Sequence, residues 1–299
     1  MTTEPSTAPA ENAKNPASTD KAGRAVGPGG PAVADARLGA EGLSLRYGRR
    51  TVVENLELVV PPGSFTVVIG PNACGKSTLL RALAGLLPPA AGRIVLDGAD
   101  IASYPPKEAA RRLGLLPQTA IAPDGITVAE LVSRGRYAHQ RVLRQWSRED
   151  EAAVLDALTA TGVADLSARR VEELSGGQRQ RVWIAMVLAQ ETPLILLDEP
   201  TTYLDIAHQI EVLNLLHDLH LRGRTIVAVL HDLNQAARYA SHVVAMKDGR
   251  ITAAGTPAET ITAELVREVF GLAGIVIPDP VTGTPLIVPA DTRTPAPEA

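Results

Sequence analysis

The chain is poor in the features that mark secreted, membrane-spanning or nucleic-acid-binding proteins. Its 299 residues include one cysteine, Cys74, which excludes an internal disulfide and fits a reducing compartment. A net charge of −4 leaves no basic excess to displace counterions from nucleic-acid phosphates. No apolar run reaches the ~18 residues of a spanning helix, and the N-terminus lacks the pattern of a signal peptide. We therefore expect a soluble, cytoplasmic protein that binds no nucleic acid.

Aromatic residues are also scarce, at 3 % of the chain, so leucine, valine, isoleucine and alanine must build the core. Residues 1–36 are rich in Ala, Pro, Thr and Gly and show no periodicity. Such a stretch holds too little apolar surface to offset the entropy of ordering, and residues 291–299 have the same character. We predict two disordered tails around one folded domain at 37–290. No internal repeat is visible, so the chain carries a single copy of this domain.

Short apolar runs alternate with helical patterns through much of the folded domain, which favours a mostly parallel sheet covered on both faces. The runs near the N-terminus alternate with polar residues instead and predict antiparallel strands. The predicted strands are Leu43–Leu45, Val52–Val60, Phe65–Ile69, Arg93–Leu96, Leu113–Leu116, Leu194–Asp198, Thr225–Leu230 and Val243–Met246. The predicted helices are Ser77–Leu87, Ile206–Leu221 and Leu233–Ala240.

Residues 119–172 differ from the rest of the domain because they carry few strand signals and two helical patterns, at Glu130–Ser133 and Arg148–Thr161. The predicted fold class is therefore α/β, with a mostly parallel sheet core, an antiparallel β subdomain and a helical insertion subdomain. A C-terminal extension is expected at about 256–290. In the helix Ile206–Leu221, apolar residues recur at helical spacing from Ile206 onward and predict a core-facing stripe.

A glycine-rich loop lies between the apolar run that ends at Ile69 and the helix that follows. It satisfies the P-loop pattern, in which backbone N–H groups surround phosphate oxygens at a helix N-terminus. Lys76 is expected to reach the β- and γ-phosphates, and Ser77 to offer its hydroxyl to Mg²⁺. The same surroundings favour a thiolate at Cys74, although a small filling side chain is the expected role there. The loop and its continuation comprise Gly70, Pro71, Asn72, Ala73, Cys74, Gly75, Lys76, Ser77 and Thr78. The sequence predicts a P-loop NTPase.

Polar residues follow three other apolar runs and are candidates for the same site, because parallel strands end at one edge of a sheet. Asp198 ends one run and is the expected partner of Mg²⁺. Glu199 comes next and is suited to polarising an attacking water. His231 follows a second run, where a γ-phosphate contact is expected. Gln118 follows a third, and its amide can accept from water or coordinate Mg²⁺.

Between these two halves of a nucleotide site stands Leu-Ser-Gly-Gly-Gln, at 174–178. With the P-loop upstream and LILLDEP at 194–200, it resembles the ATP-binding cassette family, the ATPase subunits of membrane transporters, over roughly residues 38–290. The resemblance implies ATP with Mg²⁺, Tyr47 stacked on the adenine, and Asp205 in a loop that reaches across a dimer. It also implies a nucleotide-binding signature formed by Ser175, Gly176, Gly177 and Gln178.

The signature supplies a second anion-binding helix N-terminus, ahead of the apolar stretch Val182–Leu188. One chain does not need two such sites for one nucleotide. In the family, two cassettes pack head to tail, and each ATP lies between the P-loop of one and the signature of the other. The resemblance therefore implies a second copy of the chain and integral-membrane permease subunits that hold the pair at the cytoplasmic face of the membrane. It implies a substrate-binding protein indirectly.

Four stretches resemble the ATPases of ferric-siderophore importers and imply that ATP hydrolysis powers uptake of these complexes. Cobalamin and haem importers share the architecture and stay open as alternatives, as does an exporter. A non-transport regulator is disfavoured because the chain has neither a second cassette nor a long coiled coil. A cassette that does not hydrolyse ATP is disfavoured by Glu199 and His231. The four stretches lie at 134–140 followed by 145–151, at 199–216, at 230–240 and at 276–289.

A basic and aromatic cluster lies within the helical insertion. Charge runs are usually solvated, and in this family the insertion borders the groove that receives a helix of the permease. We therefore expect Arg134–Trp146 to form an exposed docking surface. The cluster comprises Arg134, Arg136, Tyr137, Arg141, Arg144 and Trp146.

Overall fold

The computed structural model describes residues 36–140 and 146–291. The predicted tails, 1–36 and 291–299, lie outside these ranges except at Ala36 and Asp291. Within the two ranges, no helix is both long enough and apolar enough to cross a bilayer.

Twelve strands and nine α-helices are present in the described ranges. The strands are β1 (Leu38–Tyr47), β2 (Arg50–Val60), β3 (Phe65–Ile69), β4 (Ala91–Leu96), β5 (Ala99–Asp100), β6 (Leu113–Leu116), β7 (Leu194–Asp198), β8 (Thr225–Val229), β9 (His242–Lys247), β10 (Arg250–Gly255), β11 (Gly274–Pro278) and β12 (Pro285–Pro289). The helices are α1 (Lys76–Leu83), α2 (Pro106–Arg112), α3 (Val128–Ser133), α4 (Arg148–Ala160), α5 (Gly176–Ala189), α6 (Ile206–Leu221), α7 (Leu233–Tyr239), α8 (Pro257–Thr260) and α9 (Ala263–Phe270).

The central sheet has six strands in the order β10–β9–β3–β8–β7–β6. The five strands from β9 to β6 are parallel, and β10 joins the edge in the antiparallel sense. Every residue of β3, β7 and β8 is buried, as expected for parallel strands with both faces covered. The predicted α/β class with a mostly parallel core is confirmed.

The N-terminal strands form the predicted antiparallel sheet, in the order β2–β1–β4–β5. The turn between β1 and β2 contains only Gly48 and Arg49, so Tyr47 and Arg50 pair directly across the hairpin. The inner side chains of this sheet pack with α1 and with one face of the central sheet in a single apolar cluster. This packing holds the end of the hairpin near the loop that precedes α1.

Among the described residues between β6 and β7, the regular elements are helices apart from one bridge between Thr127 and Arg170, which confirms the predicted helical insertion. Two of its helices begin with reciprocal capping boxes, one between Thr127 and Glu130 and one between Ser147 and Asp150. In each, the hydroxyl accepts from the backbone N–H of the acidic residue, which the helix itself leaves unpaired. The acidic side chain accepts in turn from the backbone N–H of the hydroxyl residue. These caps fix where α3 and α4 begin.

The C-terminal hairpin of β11 and β12 packs on α7 through polar contacts. Asn234 donates from Nδ2 to the Ile287 carbonyl at 3.3 Å, and its Oδ1 accepts from the Ile287 N–H at 2.7 Å. Arg238 donates to Asp279 at 2.6 Å. The side chain of Asn234 thus bonds one residue of β12 as a neighbouring strand would, which fixes the hairpin against the helix that follows β8.

Two details of the predicted helices were wrong. Helix α1 ends at Leu83 instead of Leu87, because Gly85 adopts φ +72° and closes the last turn in a conformation that glycine favours. Ile206 was predicted to face the core, but it is 76 % exposed. It is the first residue of α6, where Asp205 and Ala207 are exposed as well, whereas Leu216, farther along the same stripe, is fully buried.

Candidate active site

Four neighbouring parallel strands end at one edge of the central sheet and deliver the predicted catalytic residues there. In sheet order, β3 leads into the P-loop, β8 into His231, β7 into Asp198 and Glu199, and β6 into Gln118. Their carboxyl ends coincide because all four strands run in the same direction. Residues separated by more than a hundred positions in the sequence therefore meet in space.

A cavity of about 520 Å³ opens at this edge, between the sheet and the β1–β2 hairpin. Ten of the predicted site residues line it: Tyr47, Asn72, Ala73, Gly75, Lys76, Ser77, Thr78, Gln118, Glu199 and His231. Tyr47 is 45 % exposed, so its aromatic side chain is accessible to a ligand in the cavity. The cavity brings together an aromatic side chain, a phosphate-binding loop and two acid–base groups.

The backbone of the P-loop depends on glycine at two positions. Gly70 adopts φ +154°, and an added Cβ there would collide with the carbonyl oxygen of Met246. Gly75 is the N-cap of α1 with φ +107°, and a Cβ added there would lie close to the side chains of Val52 and Val53. Since only glycine adopts these angles without strain, the sequence fixes the turn that aims the N-terminus of α1 into the cavity.

Lys76 is buried, and its ammonium donates to the carbonyl oxygens of Gly70 and Pro71 at 2.8 Å and 2.9 Å. Neither Gly70 nor Pro71 lines the cavity, so their part is to position the lysine from behind the loop. A buried ammonium without an ion pair attracts anions strongly because little water screens it. The loop thus presents backbone N–H groups and one cation to a polyphosphate.

Ser77 and Asp198 form the second pair of the site, with Ser77 Oγ donating to Asp198 Oδ1 at 2.9 Å. Asp198 is 4 % exposed, and burial raises the pKa of its carboxyl above the ordinary value although the hydrogen bond from Ser77 lowers it. A buried carboxylate beside a hydroxyl, with the amide of Gln118 nearby in the cavity, is a set of hard oxygen donors. Mg²⁺ prefers such donors, and the residues present fit that ion.

Glu199 is held by hydrogen bonds at both carboxylate oxygens. His231 Nε2 lies 2.7 Å from Oε1, and Thr202 Oγ1 donates to Oε2 at 3.1 Å. Burial raises the pKa of Glu199, but hydrogen bonds from His231, Thr202 and Gln118 outweigh burial and hold it below the ordinary value. Glu199 also adopts φ +55°, an uncommon conformation for a residue with a side chain. The group is an ionised carboxylate in a fixed position.

Cys74 is the small buried filler that the sequence favoured, and its surroundings do not favour a thiolate. Its thiol is 5 % exposed, does not line the cavity, and packs in the cluster behind the P-loop. Burial raises the pKa of Cys74 more than the charge of Lys76 lowers it. The expectation of a thiolate was therefore wrong, because the loop turns its N–H groups toward the cavity and this side chain toward the core.

The signature residues lie outside the cavity that the P-loop lines. Ser175 is the N-cap of α5, its hydroxyl accepts from the N–H of Gln178 at 3.2 Å, and the Gln178 side chain accepts from the N–H of Ser175 at 3.1 Å. Gly176 and Gly177 follow in the first turn, with Ser175 and Gly176 exposed. The helix N-terminus is formed and open, but it does not contribute to this chain's own cavity.

Asp205 also lies away from the cavity. It caps α6 by accepting from the N–H of His208 at 2.9 Å, and the His208 ring lies 2.7 Å from the same oxygen. Its side chain is 67 % exposed, and the hydrogen bonds from His208 hold its pKa below the ordinary value. Like the signature, this carboxylate is presented outward.

Two residues of the cavity were missed by the sequence analysis, Arg50 and Val52 on β2. Arg50 is exposed and lies opposite Tyr47 in the hairpin pairing. The signal was available: a turn of two residues after Tyr47 puts the third residue directly across from it.

The predicted docking cluster in the helical insertion is only partly exposed. Arg136 is 4 % exposed, and its guanidinium bonds Asp150 at 2.9 Å and both Glu191 and the Ala189 carbonyl at 2.7 Å. The prediction that it forms a docking surface was wrong. Tyr137 and Trp146 are exposed, at 67 % and 45 %, and so is Arg134. The remaining two arginines, 141 and 144, lie outside the described residues.

With this geometry in hand, comparison with known proteins identifies the chain's family. A profile of the ABC transporter family matches residues 53–202, about half of the chain. The chain belongs to the ABC transporter family. It is one of the family's ATPase subunits, which bind and hydrolyse ATP.

Curated relatives match most of the chain. The ferric enterobactin transport ATP-binding protein FepC of Escherichia coli (strain K12) is 57 % identical over 87 % of this chain and 97 % of its own length. The probable siderophore transport system ATP-binding protein YusV of Bacillus subtilis (strain 168) is 56 % identical over 84 % of this chain and 92 % of its own. The hemin import ATP-binding protein HmuV of Thermobifida fusca (strain YX) is 41 % identical over 84 % and 88 %.

Solved structures agree with the fold. An inward-facing metal-chelate type ABC transporter matches with a TM-score of 0.74 and 30 % identity, over 86 % of this chain and 98 % of that chain. A dimeric ATP-binding cassette, MJ0796, bound to ADP and phosphate after hydrolysis, matches with a TM-score of 0.66 and 26 % identity, over 73 % and 98 %. ABC ATPase cassettes thus form dimers, and the relatives of this chain are ATPase subunits of membrane transport systems.

Proposed function

We propose that this ABC ATPase powers the import of ferric-siderophore complexes and that the cavity at the sheet edge is its catalytic site. The observation that carries the catalytic part is the convergence of the P-loop, Glu199 and His231 on one cavity of about 520 Å³, with Asp198 accepting a hydrogen bond from the lining residue Ser77. In this proposal Tyr47 stacks on the adenine, and the N–H groups of the P-loop bind the phosphates together with Lys76.

Glu199 acts as the general base in this proposal. Its low pKa keeps it ionised at neutral pH, and a carboxylate at the edge of the phosphate site can accept a proton from the attacking water. The water oxygen bonds the γ-phosphorus as Glu199 takes the proton, and the bond between the γ-phosphorus and the β–γ bridging oxygen breaks. The electron pair of that bond stays on the bridging oxygen, which leaves as part of ADP. His231 and Thr202 hold Glu199 from both oxygens so that little reorganisation is needed. Gln118 orients the water or a metal ligand.

Ser77, Asp198 and Gln118 are the residues that would hold Mg²⁺. When bound, the ion would neutralise charge on the β- and γ-phosphates. The support lies in the donor set, since the buried Asp198 carboxylate lies beside the Ser77 hydroxyl and accepts a hydrogen bond from it.

A second copy of the chain completes the site. The support is that the signature, Ser175 to Gln178, forms an open helix N-terminus outside the chain's own cavity, and Asp205 likewise points outward. In a head-to-tail dimer, the signature of one copy would cover the phosphates bound by the other, as suits an anion at a helix N-terminus. ATP would then favour the closed dimer because it contacts both copies only in that state.

Cargo and partners follow from the relatives. Two relatives above 55 % identity are named for siderophore transport, whereas the hemin importer is 41 % identical. We infer integral-membrane permease subunits as direct partners at the cytoplasmic face of the membrane, and a substrate-binding protein as an indirect one. We also infer that residues 37–290 form one cassette, with 119–172 as its helical subdomain and 256–290 as a C-terminal extension. The helices between β6 and β7 and the docked C-terminal hairpin support this division.

The test is uptake in iron-starved cells whose only copy of this ATPase is wild type or Glu199→Gln at matched expression. Cells would receive labelled ferric siderophore, haem or cobalamin in separate arms. Loss of siderophore uptake alone in the variant is the expected result. Normal siderophore uptake in the variant, with loss of haem or cobalamin uptake, would reassign the cargo.

A further inference from the structure

The loop between Glu199 and Asp205 has an uncommon backbone conformation. Two of its residues with side chains, Glu199 and Tyr203, adopt positive φ values of +55° and +66°. Tyr203 is also 88 % exposed, so its own side chain contributes little packing. Such conformations cost free energy and persist only where neighbouring groups hold them. The contacts that hold this loop therefore affect the positions of both residues at its ends, Glu199 and Asp205.

Carboxamide side chains hold the loop by its carbonyl oxygens. Gln209, in the first turns of α6, donates from Nε2 to the carbonyls of Thr201 at 3.3 Å and Leu204 at 3.2 Å. Gln180, on the signature helix α5, donates to the Pro200 carbonyl at 3.0 Å. Three of the five backbone carbonyls from 200 to 204 are thus bonded to side chains from two different helices.

The Gln209 amide is itself oriented by a third glutamine. Gln235 on α7 donates to Gln209 Oε1 at 2.8 Å, which leaves the Gln209 Nε2 hydrogens facing the loop. Helix α7 begins two residues after His231, and Asn234 on it bonds the C-terminal hairpin at Ile287. The chain of contacts therefore runs from the hairpin through α7 to the loop that carries Glu199.

We propose that Gln209 is a positioning residue for ATP hydrolysis. Its amide fixes the turn at 201–204, so that Thr202 and His231 meet the Glu199 carboxylate and Asp205 stays at the start of α6. This inference rests on the proposed roles of Glu199 and Asp205. Gln209 and Gln235 do not line the cavity, and the P-loop chemistry by itself gives neither residue a part.

The experiment compares steady-state ATP hydrolysis by full-length wild type, Gln209→Leu and Gln209→Glu. Gln209→Leu removes both donations, whereas Gln209→Glu keeps an acceptor for Gln235 but turns a carboxylate toward two carbonyls. We expect kcat to fall about tenfold in each, with the KM for ATP within about twofold of wild type, because the P-loop and Tyr47 are untouched. Gln235→Leu should lower kcat in the same direction and by less.

Asn214→Leu is the matched control, since Asn214 lies on the same helix and accepts from the Tyr239 hydroxyl of α7 at 2.9 Å without contacting the loop. It should lower the melting temperature about as much as Gln209→Leu and leave kcat unchanged. Equal kcat values for the two variants would overturn the inference, as would a Gln209→Leu effect confined to KM. Glu199→Gln is assayed in parallel: wild-type turnover there would refute the proposed base, whereas an inactive Glu199→Gln beside a fully active Gln209→Leu would refute only the positioning role.

Discussion

Arg136 gives the sharpest stability prediction, because a single buried cation joins three elements. Its Nε bonds Asp150 at the start of α4, and its Nη1 bonds the Ala189 carbonyl at the end of α5 as well as Glu191. The side chains of Arg136 and Asp150 are 5 % and 9 % exposed, so water does not replace a lost partner easily. Arg136→Met keeps much of the apolar volume and removes the charge and all three hydrogen bonds.

The expected loss of unfolding free energy depends on the carboxylates that the substitution leaves without a cation. Removing one partner of a buried ion pair costs about 3–5 kcal/mol because the other charge stays buried. Asp150 keeps hydrogen bonds from the Ser147 N–H and hydroxyl, and Glu191 is 53 % exposed, so the lower end applies. We therefore expect a loss of about 3 kcal/mol, which for a domain of this size lowers the melting temperature by about 6–12 °C.

The assay is thermal and urea unfolding of Arg136→Met with two comparisons. Arg93→Met breaks an ion pair of 2.6 Å to Glu41 on the surface and should leave the melting temperature unchanged within error. Arg136→Met combined with Asp150→Asn should recover much of the loss, because no buried charge is left without a partner. Arg136→Met with the stability of wild type at an unchanged m-value would refute the reasoning.

The stabilisation from the ion pair of Arg136 and Asp150 has a defined pH dependence. Burial raises the pKa of Asp150, but hydrogen bonds from Arg136 and Ser147 outweigh it and leave the pKa below the ordinary 3.8. The stabilisation is therefore full above that value and is lost as pH falls through the lower folded-state pKa. The difference between wild type and Arg136→Met should be constant near neutral pH and shrink below about pH 4.

Three further predictions concern the cavity. Lys76→Ala should lower ATP turnover by about a hundredfold or more, measured by phosphate release, whereas Lys107→Ala, on the surface of α2, should not change it. Tyr47→Ala should raise the Kd for ATP about tenfold by calorimetry while Tyr47→Phe preserves it, since the ring face and not the hydroxyl is used. Because burial raises the pKa of Cys74, its reaction with iodoacetamide at pH 7.5 should be far slower in folded than in urea-unfolded protein; equal rates would contradict this.

The sequence was sufficient to predict which residues meet at the site edge of the central sheet, because the relevant signals are local. Each strand that feeds the site is a short apolar run ending in a polar residue, and parallel connections bring such ends together whatever lies between them. The signature at 174–178 needed no geometry either, since its residue types cap a helix reciprocally. These features depend on neighbours within a few residues along the chain.

The features that could not be predicted from the sequence depend on the direction in which a side chain points. From the sequence, Arg136 looked like part of a solvated basic cluster. Arginine is rarely buried unless it is paired, and sequence spacing does not reveal the partners of this one. Cys74 lies among phosphate-binding residues but points away from them. The contacts of Gln209 with a loop one turn upstream and with a helix 26 residues downstream follow from tertiary packing alone.

The measurement that tests the central claim most directly is ATP turnover by Glu199→Gln, with binding of ATP measured on the same protein. The account predicts turnover at least about a hundredfold below wild type, with ATP retained and the protein recovered as a dimer, because the base is lost and the phosphate site is not. Glu264→Gln, at an exposed carboxylate of α9, should match wild type. Wild-type turnover by Glu199→Gln would contradict the account.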